Sequence, residues 1–336
     1  MVQLLKVHGS QNKFFILDQT QLTHKLSSQE RVALAKHITD SNDGLLHGAD
    51  GLLHGADGLL VIDDSDHDGA LGSMEVINTD GSIASMCGNG LRTVSRYLAE
   101  KTGQDAFKVA TQDSDLAVHK ETDLAAGVPT FSVEISPVTF NKESLPFDHL
   151  GADQIIDQPI PEFGVGVRFT ALAVPNPHLI GFGNFKTMKP DGLKVLGTML
   201  NQRNPYFPDG VNVSFAEIQG PDTLFVQTFE RGVGLTNACG TGMSAASIAF
   251  CLNRPELAEF EKTITVYNPG GMVKTRVHNN DGEYTVDLIG NATFTHEIEI
   301  PEADLHANDL TRASVTATDE QDAYDEFVGS LDNGRF

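Results

Sequence analysis

The sequence predicts a mixed α/β protein built from two similar halves, and two observations carry this. The first is length. A chain of 336 residues, at roughly 100–200 residues per domain, suggests about two domains and is long enough to bury two separate cores. The second is an internal repeat. In one stretch Met74 to Asn78 reads as a strand, Thr79-Asp80-Gly81 follows, and Ser82 to Met86 leads into Cys87-Gly88-Asn89-Gly90 and a helical run. In the other, Leu224 to Phe229 reads as a strand, Glu230-Arg231-Gly232 follows, and Val233 to Ala238 leads into Cys239-Gly240-Thr241-Gly242 and a second helical run. In both, a polar residue (Asn78 or Glu230) ends the strand nine positions before the cysteine.

Taken in chain order, Gln3 to Val7 and Phe14 to Leu17 read as strands joined by a turn over Gly9 to Asn12. Ser28 to Ile38 has helical periodicity, with Val32, Leu34, Ala35 and Ile38 apolar and Ser27 or Ser28 placed to cap its start. Leu59 to Ile62 and Ser73 to Ile77 are expected strands on either side of an acidic loop. Ahead of them lies a tandem duplication. Asp-Gly-Leu-Leu-His-Gly-Ala at 43–49 recurs at 50–56, and Asp57-Gly58-Leu59-Leu60 begins a third copy. The spacing is that of a heptad, but the glycines exclude a good helix, and the unit is too short for a solenoid. It reads as a lengthened loop. The two helices after the cysteines are expected over Leu91 to Lys101, closed by Gly103, and over Met243 to Leu252, ending near Asn253 and Pro255. The first half is placed at 1–130 with a return strand at about 291–300, and the second at 131–290. The segment 301–336 is rich in Asp, Glu, Ala and Thr. Its composition predicts an extension ordered in part at best, with a short helix over Ala323 to Leu331.

Asp and Glu outnumber Lys and Arg by 46 to 23, a formal charge of -23. So acidic a chain repels the phosphate backbone and anionic lipid, which argues against nucleic acid and membrane as partners. No apolar run approaches the roughly 20 residues of a membrane span, and no secretory signal is expected from the first residues. Three cysteines cannot make a disulfide framework in such a chain. The expectation is a cytoplasmic protein with reduced thiols.

A cysteine at a helix N-terminus sits among unpaired N–H groups and roughly half a positive charge, which favours the thiolate. The same place binds carboxylates, and glycines let the backbone approach a ligand closely. If the halves face each other, two thiols and two helix N-termini converge on one small anion. That suits inversion at a carbon next to a carboxylate. One cysteine removes the α-proton, the other returns a proton to the opposite face, and the N–H groups hold the developing enolate charge. Cys251 lies among Ile248, Ala249 and Leu252 without such a context and reads as core.

At these residues the chain resembles the diaminopimelate epimerase family. The resemblance is carried by Met86-Cys87-Gly88-Asn89-Gly90, Glu230-Arg231-Gly232, Ala238-Cys239-Gly240-Thr241-Gly242, Asn176-Pro177-His178, Asn12, Asn78-Thr79-Asp80-Gly81, Val211-Asn212-Val213 and the final His-Gly-Ala-Asp-Gly at 54–58. It spans roughly residues 1–300 and leaves the tail unmatched. It implies two pseudo-symmetric α/β domains, each a curved, mostly antiparallel sheet around a central helix, and no cofactor or metal. It implies Cys87 and Cys239 as the acid–base pair acting on LL- and meso-diaminopimelate. The reacting carboxylate is then held at Gly88-Asn89 and Gly240-Thr241. Asn12, Asn78, Asn176, Asn212, Glu230 and Arg231 surround the substrate, Arg231 reads the distal carboxylate, and His178 supports the site. A homodimer is compatible with the sequence, though no feature of it demonstrates one.

Gln11, Lys13, Leu91 and Leu235 depart from the family's usual residues. A proline racemase-like enzyme is the first rival, but such enzymes typically show His where Asn89 stands, and a ring-closed imino acid has no need of Arg231. A thiol redox or metal-binding protein is the second; no Cys-x-x-Cys or zinc-like spacing is present, and His47, His54 and His67 read as solvated. A pyridoxal-phosphate racemase lacks a lysine in a phosphate-cradling context. A catalytically weak binding protein of this fold is the third.

Overall fold

The computed structural model describes residues 1–40, 55–84, 86–183 and 191–331. The chain runs first through β1 (Val2–Gly9), β2 (Asn12–Asp18), α1 (Ser28–Ile38), β3 (Gly58–Asp63), β4 (Ala70–Asn78), β5 (Ile83–Ala84), α2 (Gly88–Thr102), β6 (Ala106–Ala110), β7 (Asp115–Glu121) and β8 (Thr130–Ile135). It continues through β9 (Gln158–Pro159), β10 (Arg168–Val174), β11 (Asn176–Phe182), α3 (Gly192–Asn201), β12 (Asn212–Gly220), β13 (Thr223–Glu230), β14 (Gly234–Thr236), α4 (Gly240–Asn253), β15 (Thr263–Asn268), β16 (Gly271–Asn280) and β17 (Glu283–Asn291). It ends with β18 (Thr293–Ile300), α5 (Glu302–Ala307), β19 (Ser314–Ala317) and α6 (Glu320–Leu331). Two compact units result: Met1–Val133 with the chain from Gly290 onward, and Glu134–Ile289. The duplication lies outside the described residues at 43–54, and only its end, 55–60, is described.

Both units repeat one topology. In the first, β1 and β2 are antiparallel, β2 and β3 parallel, β3 and β4 antiparallel, and β4 lies parallel to β6. β6, β7 and β8 then follow antiparallel. In the second, β10 to β13 and β15 to β17 are joined in the same senses and the same order. Each sheet curves around one helix. α2 packs on β1, β2, β3, β4 and β7, and α4 on β10 to β13, β15 and β16. A helix touched by strands from both ends of its sheet is buried on every side. In α2 every residue from Gly88 to Arg96 is buried, and in α4 every residue from Gly242 to Cys251. Such a helix has no solvent face to require polar residues, which explains the run Ala245, Ala246, Ile248, Ala249 and Phe250. Cys251 is core, its thiol pushed up to about 12 by burial.

Local chemistry fixes the outer elements. α1 starts at a capping box: the Glu30 N–H donates to Ser27 Oγ, and the Ser27 N–H donates to the Glu30 carboxylate at 2.7 Å. Its inner face, Leu34, Ala35 and Ile38, packs with Phe15, Leu17, Leu59 and Val61. Gly103, with φ 73°, ends α2 in the left-handed region. The β1–β2 turn places Ser10 and Gln11 at φ 52° and 64°, the twist a two-residue hairpin requires. Neither is glycine. The turn is held instead by Ser10 N–H donating to Asn291 Oδ1 at 2.8 Å and Gln11 N–H donating to His8 Nδ1 at 3.2 Å.

The tail corrects the compositional expectation of partial order. β19 pairs antiparallel with β18, and α6 packs on β18. Glu320 accepts two bonds from Arg96 at 2.6 and 2.7 Å and one from the Phe294 N–H at 2.8 Å. Leu305, Tyr324 and Phe327 are buried, and the Tyr324 ring meets His8 edge-on with centroids 4.7 Å apart. Composition misled because three large side chains, Leu305, Tyr324 and Phe327, are enough to anchor the segment, although Val315 is exposed. Tyr324→Ala should then cost about 3–5 kcal/mol, as other buried aromatic truncations do. Urea denaturation would show this as a lowered midpoint; an unchanged midpoint would mean that α6 is not part of the first unit's core.

Candidate active site

In the first unit, Cys87 is the N-cap of α2, and its Sγ accepts the Gly90 N–H at 3.4 Å. A cap takes one of the four N–H groups a helix start leaves unpaired. Asn12, at the start of β2, sets its Oδ1 3.6 Å from Sγ and accepts from Asn89 Nδ2 at 3.2 Å. Asn12 is itself oriented by Asp57, whose Oδ2 accepts both Asn12 Nδ2 at 2.7 Å and the Lys13 N–H at 2.8 Å. Asn89 is buried, and its Oδ1 has no hydrogen-bond partner in the structure. Asn78 closes β4 opposite Gly58 and donates to Ser82 Oγ at 2.9 Å.

In the second unit, Cys239 caps α4 in the same way, its Sγ accepting the Gly242 N–H at 3.4 Å with Thr241 Oγ1 at 3.6 Å. Burial and the Glu230 carboxyl push this thiol well above its usual range, so it holds its proton. Burial also raises Glu230, against the pull of Thr236, whose hydroxyl donates to Oε1 at 2.6 Å. Asn212 donates to the Pro177 carbonyl at 3.0 Å and accepts the Arg231 N–H at 2.8 Å. Arg231 is exposed, and its Nη1 donates to the Asp209 carbonyl at 3.0 Å. His178 is fully buried, bonds Asn176 Oδ1 through Nε2 at 2.9 Å, and is held down to about 3 by burial and then by Arg231. It is therefore neutral at working pH.

Register places the residues of the two units in equivalent positions. Phe14 pairs Gly58 across the parallel β2–β3 step, and His178 pairs Asn212 across β11–β12. Counting from these pairs, Asn12 matches Asn176, Gly58 matches Asn212, and Asn78 matches Glu230. The structure thus gathers Cys87, Gly88, Asn89 and Asn12 at one helix start, with Asn78 closing a neighbouring strand. It gathers Cys239, Gly240, Thr241 and Glu230 at the other, with Asn176, His178, Asn212 and Arg231 linked at adjoining strand ends. Asp57 and Thr236 were not singled out as site residues. Asp57 stood in the noted His-Gly-Ala-Asp-Gly stretch, whereas nothing in the sequence marked Thr236. Among the departures, Leu91 is buried in α2 and Leu235 is exposed. His47 and His54 lie outside the described residues, and His67 pairs with Asp115 at 2.7 Å. Among the described residues no group of three or more His, Cys, Asp or Glu is placed to hold a metal ion, and no helix is long and apolar enough to cross a membrane.

Fold and site define a duplicated α/β protein whose two central helices are each capped by a cysteine. The fold is shared with a phenazine biosynthesis protein of the PhzF family from Bacillus anthracis, at a TM-score of 0.60 and 14% identity over 89% of this chain and 99% of that one. The profile described as diaminopimelate epimerase matches residues 4–128 and 175–295. The chain belongs to the diaminopimelate epimerase family. It is 48% identical over 332 residues to the diaminopimelate epimerase of Ligilactobacillus salivarius, covering 98% of this chain and 99% of that protein. It is 49% identical over 334 residues to that of Lactiplantibacillus plantarum, covering 98% of each. The family profile ends at residue 295, as the resemblance implied, while the matches to these two relatives cover 98% of the chain and so extend over the tail.

The state of His178 has a consequence for stability. An unfolded histidine takes a proton below about 6.5, whereas the folded one does so only near 3. Stability is thus full above about pH 6.5 and falls as pH drops toward 3. His178→Gln should remove from that slope about 2 kcal/mol between pH 6.5 and 5. Urea titrations at the two pH values check this; equal slopes in both proteins would contradict it.

Proposed function

We propose that this chain interconverts LL- and meso-diaminopimelate without a cofactor, with Cys87 and Cys239 as the two acid–base groups. The observation that carries the reading is the pair of cysteine caps, each on a helix whose first turns are buried on all sides within the same topology. A thiol there lies beside N–H groups that can hold an anion. The reading requires the thiols to reach one α-carbon from opposite faces, since inversion needs removal on one side and delivery on the other.

The roles differ. Burial and Glu230 keep the proton on Cys239, which makes it the acid when Cys87 is the base. Reversal exchanges the roles. The α-carboxylate is held by the backbone around Gly88-Asn89 and Gly240-Thr241, where the enolate charge develops. Asn89 Oδ1, buried and unpartnered, is an acceptor available to the substrate's ammonium. Arg231 reads the distal carboxylate, a bidentate task that lysine performs poorly. Asn12, Asn78, Asn176 and Asn212 frame the substrate, and neutral His178 fixes Asn176. Free cysteines fit a reducing cytoplasm, where lysine and cell-wall synthesis would use the product.

Purified wild type should interconvert the LL and meso forms with no added cofactor, read by chiral chromatography. Cys87→Ala and Cys239→Ala should each lose at least the 10²–10⁴-fold that general acid–base catalysis contributes. Arg231→Lys should raise KM more than it lowers kcat. No turnover by folded, reduced wild type would remove this substrate, and proline and hydroxyproline would be tried next.

A further inference from the structure

Asp57 stands just ahead of β3 and is tied to the start of β2 by backbone and side chain alike. Its N–H donates to the Lys13 carbonyl at 2.7 Å. Its Oδ2 accepts the Lys13 N–H at 2.8 Å and Asn12 Nδ2 at 2.7 Å. A carboxylate accepts hydrogen bonds and has none to give. It therefore admits only the NH2 end of the Asn12 amide, and the oxygen end must face the other way. There Asn12 Oδ1 accepts from Asn89 Nδ2 at 3.2 Å and lies 3.6 Å from Cys87 Sγ, placed to accept the thiol proton.

Asn89 does not set this direction by itself. It is buried, and its Oδ1 has no hydrogen-bond partner, so its amide can meet Asn12 with either end. Two amides bonded in series can turn over together unless a group that only accepts, or only donates, holds one of them. Asp57 is that group.

The second unit has the same position without the device. Counting along the matched strands, Val211 stands for Asp57 and Pro177 for Lys13. Val211 is buried and its side chain offers no acceptor, and proline has no N–H. The acceptor and the backbone donor it would bind are absent together. Asn176, which stands for Asn12, is anchored by its other end: its Oδ1 meets His178 Nε2 at 2.9 Å. An amide oxygen only accepts, so the histidine donates. The aspartate is thus no requirement of the shared topology; it belongs to the half that carries Cys87.

We propose that Asp57 is a positioning residue for Cys87. It fixes the Asn12 amide with the oxygen toward the sulfur, so that Asn12 accepts the S–H formed when Cys87 takes the α-proton. In that step the C–H bond breaks, its electron pair stays with the carbon and the adjoining carboxylate, and the proton goes to Sγ. A hydrogen bond made to the neutral form favours that form, so the fixed oxygen strengthens Cys87 as a base. Without Asp57 the amide is free to turn its NH2 end to the sulfur and favour the thiolate instead. This rests on the reading of Cys87 as one of the two acid–base groups.

The test compares wild type, Asp57→Asn and Asp57→Val, the last copying the second unit. Asparagine keeps an acceptor oxygen and loses the charge; valine loses both. Asp57 is exposed, and Asp57→Ala takes the place of Asp57→Val if that variant does not fold. The first readout needs no substrate: alkylation of the reduced proteins by iodoacetamide at neutral pH, followed at each cysteine by peptide mass spectrometry. The thiolate is the reactive form. Cys87 should react about threefold faster or more in Asp57→Val, as a hydrogen bond moved from thiol to thiolate requires. In Asp57→Asn it should stay close to wild type. Cys239 and Cys251 should react alike in all three, as they would not if the substitution loosened the fold. The second readout is turnover of diaminopimelate: kcat/KM should fall about tenfold or more in Asp57→Val, the worth of a hydrogen bond to a charged group, and Asp57→Asn should recover most of it. Cys87 alkylation unchanged or slowed in Asp57→Val overturns the proposal. So does equal acceleration in both variants, which would make the charge and not the amide responsible. Wild-type turnover with unmoved alkylation would sink this inference alone. The expected alkylation pattern without wild-type turnover would remove the substrate and leave the role of Asp57 standing.

Discussion

The rest of the structure depends on one hydrogen bond made twice, from the third N–H of a helix whose first turns are buried to the sulfur of the cysteine that caps it. An ordinary surface helix meets water at its N-terminus, and water satisfies its open donors. α2 and α4 are enclosed by their own sheets, so their starts must be satisfied by side chains or by a ligand. Sulfur is a weak acceptor and occupies one donor in each case. The remaining N–H groups and the glycines beside them leave a compact place for an anion. That constraint explains the small residues at Gly88, Gly90, Gly240 and Gly242, and the polar strand ends at Asn78 and Glu230.

The frame is duplicated, but its electrostatics are not. Asn12 and Asn176 occupy the same position, yet Asn12 is held by an aspartate and faces a sulfur, whereas Asn176 holds a buried neutral histidine. Asn78 is matched by Glu230 and Arg92 by Ser244. Symmetric chemistry at a carbon needs two similar arms. Glu230, standing where the other half has Asn78, sets a carboxyl beside Cys239 and together with burial keeps that thiol protonated.

α1, the two helices after the cysteines, α6 and six of the strands were legible because burial leaves periodic traces, whereas α3, α5 and the other strands were not read. α1 has a capping box and an apolar stripe, and its limits coincide with the periodic stretch. The strands run one to three residues past the apolar runs at either end, since ladder bonds continue through Asn12, Gly58 and Asn78 without apolar side chains. The cysteine positions were legible as a repeated motif at matched distance from a strand end. The partners that orient the site were not. Asp57 reaches Asn12 across 45 residues of chain, and the match of Asn12 to Asn176 exists only through strand register. Gln11 and Ser10 adopt positive φ where a glycine would be read, because Asn291, 281 residues from Ser10, supports the turn. The tail was misjudged because composition counts apolar residues and cannot see that Leu305, Tyr324 and Phe327 all point inward.

The central claim is that two different groups exchange protons with one carbon. A single-turnover reaction in deuterium oxide, started from pure LL-diaminopimelate and stopped early, tests it most directly. If Cys87 removes the proton and Cys239 delivers another, the inverted product carries deuterium at the α-carbon while recovered LL substrate carries almost none. Deuterium appearing equally in recovered substrate and product would mean that a single base serves both faces, and would contradict the account.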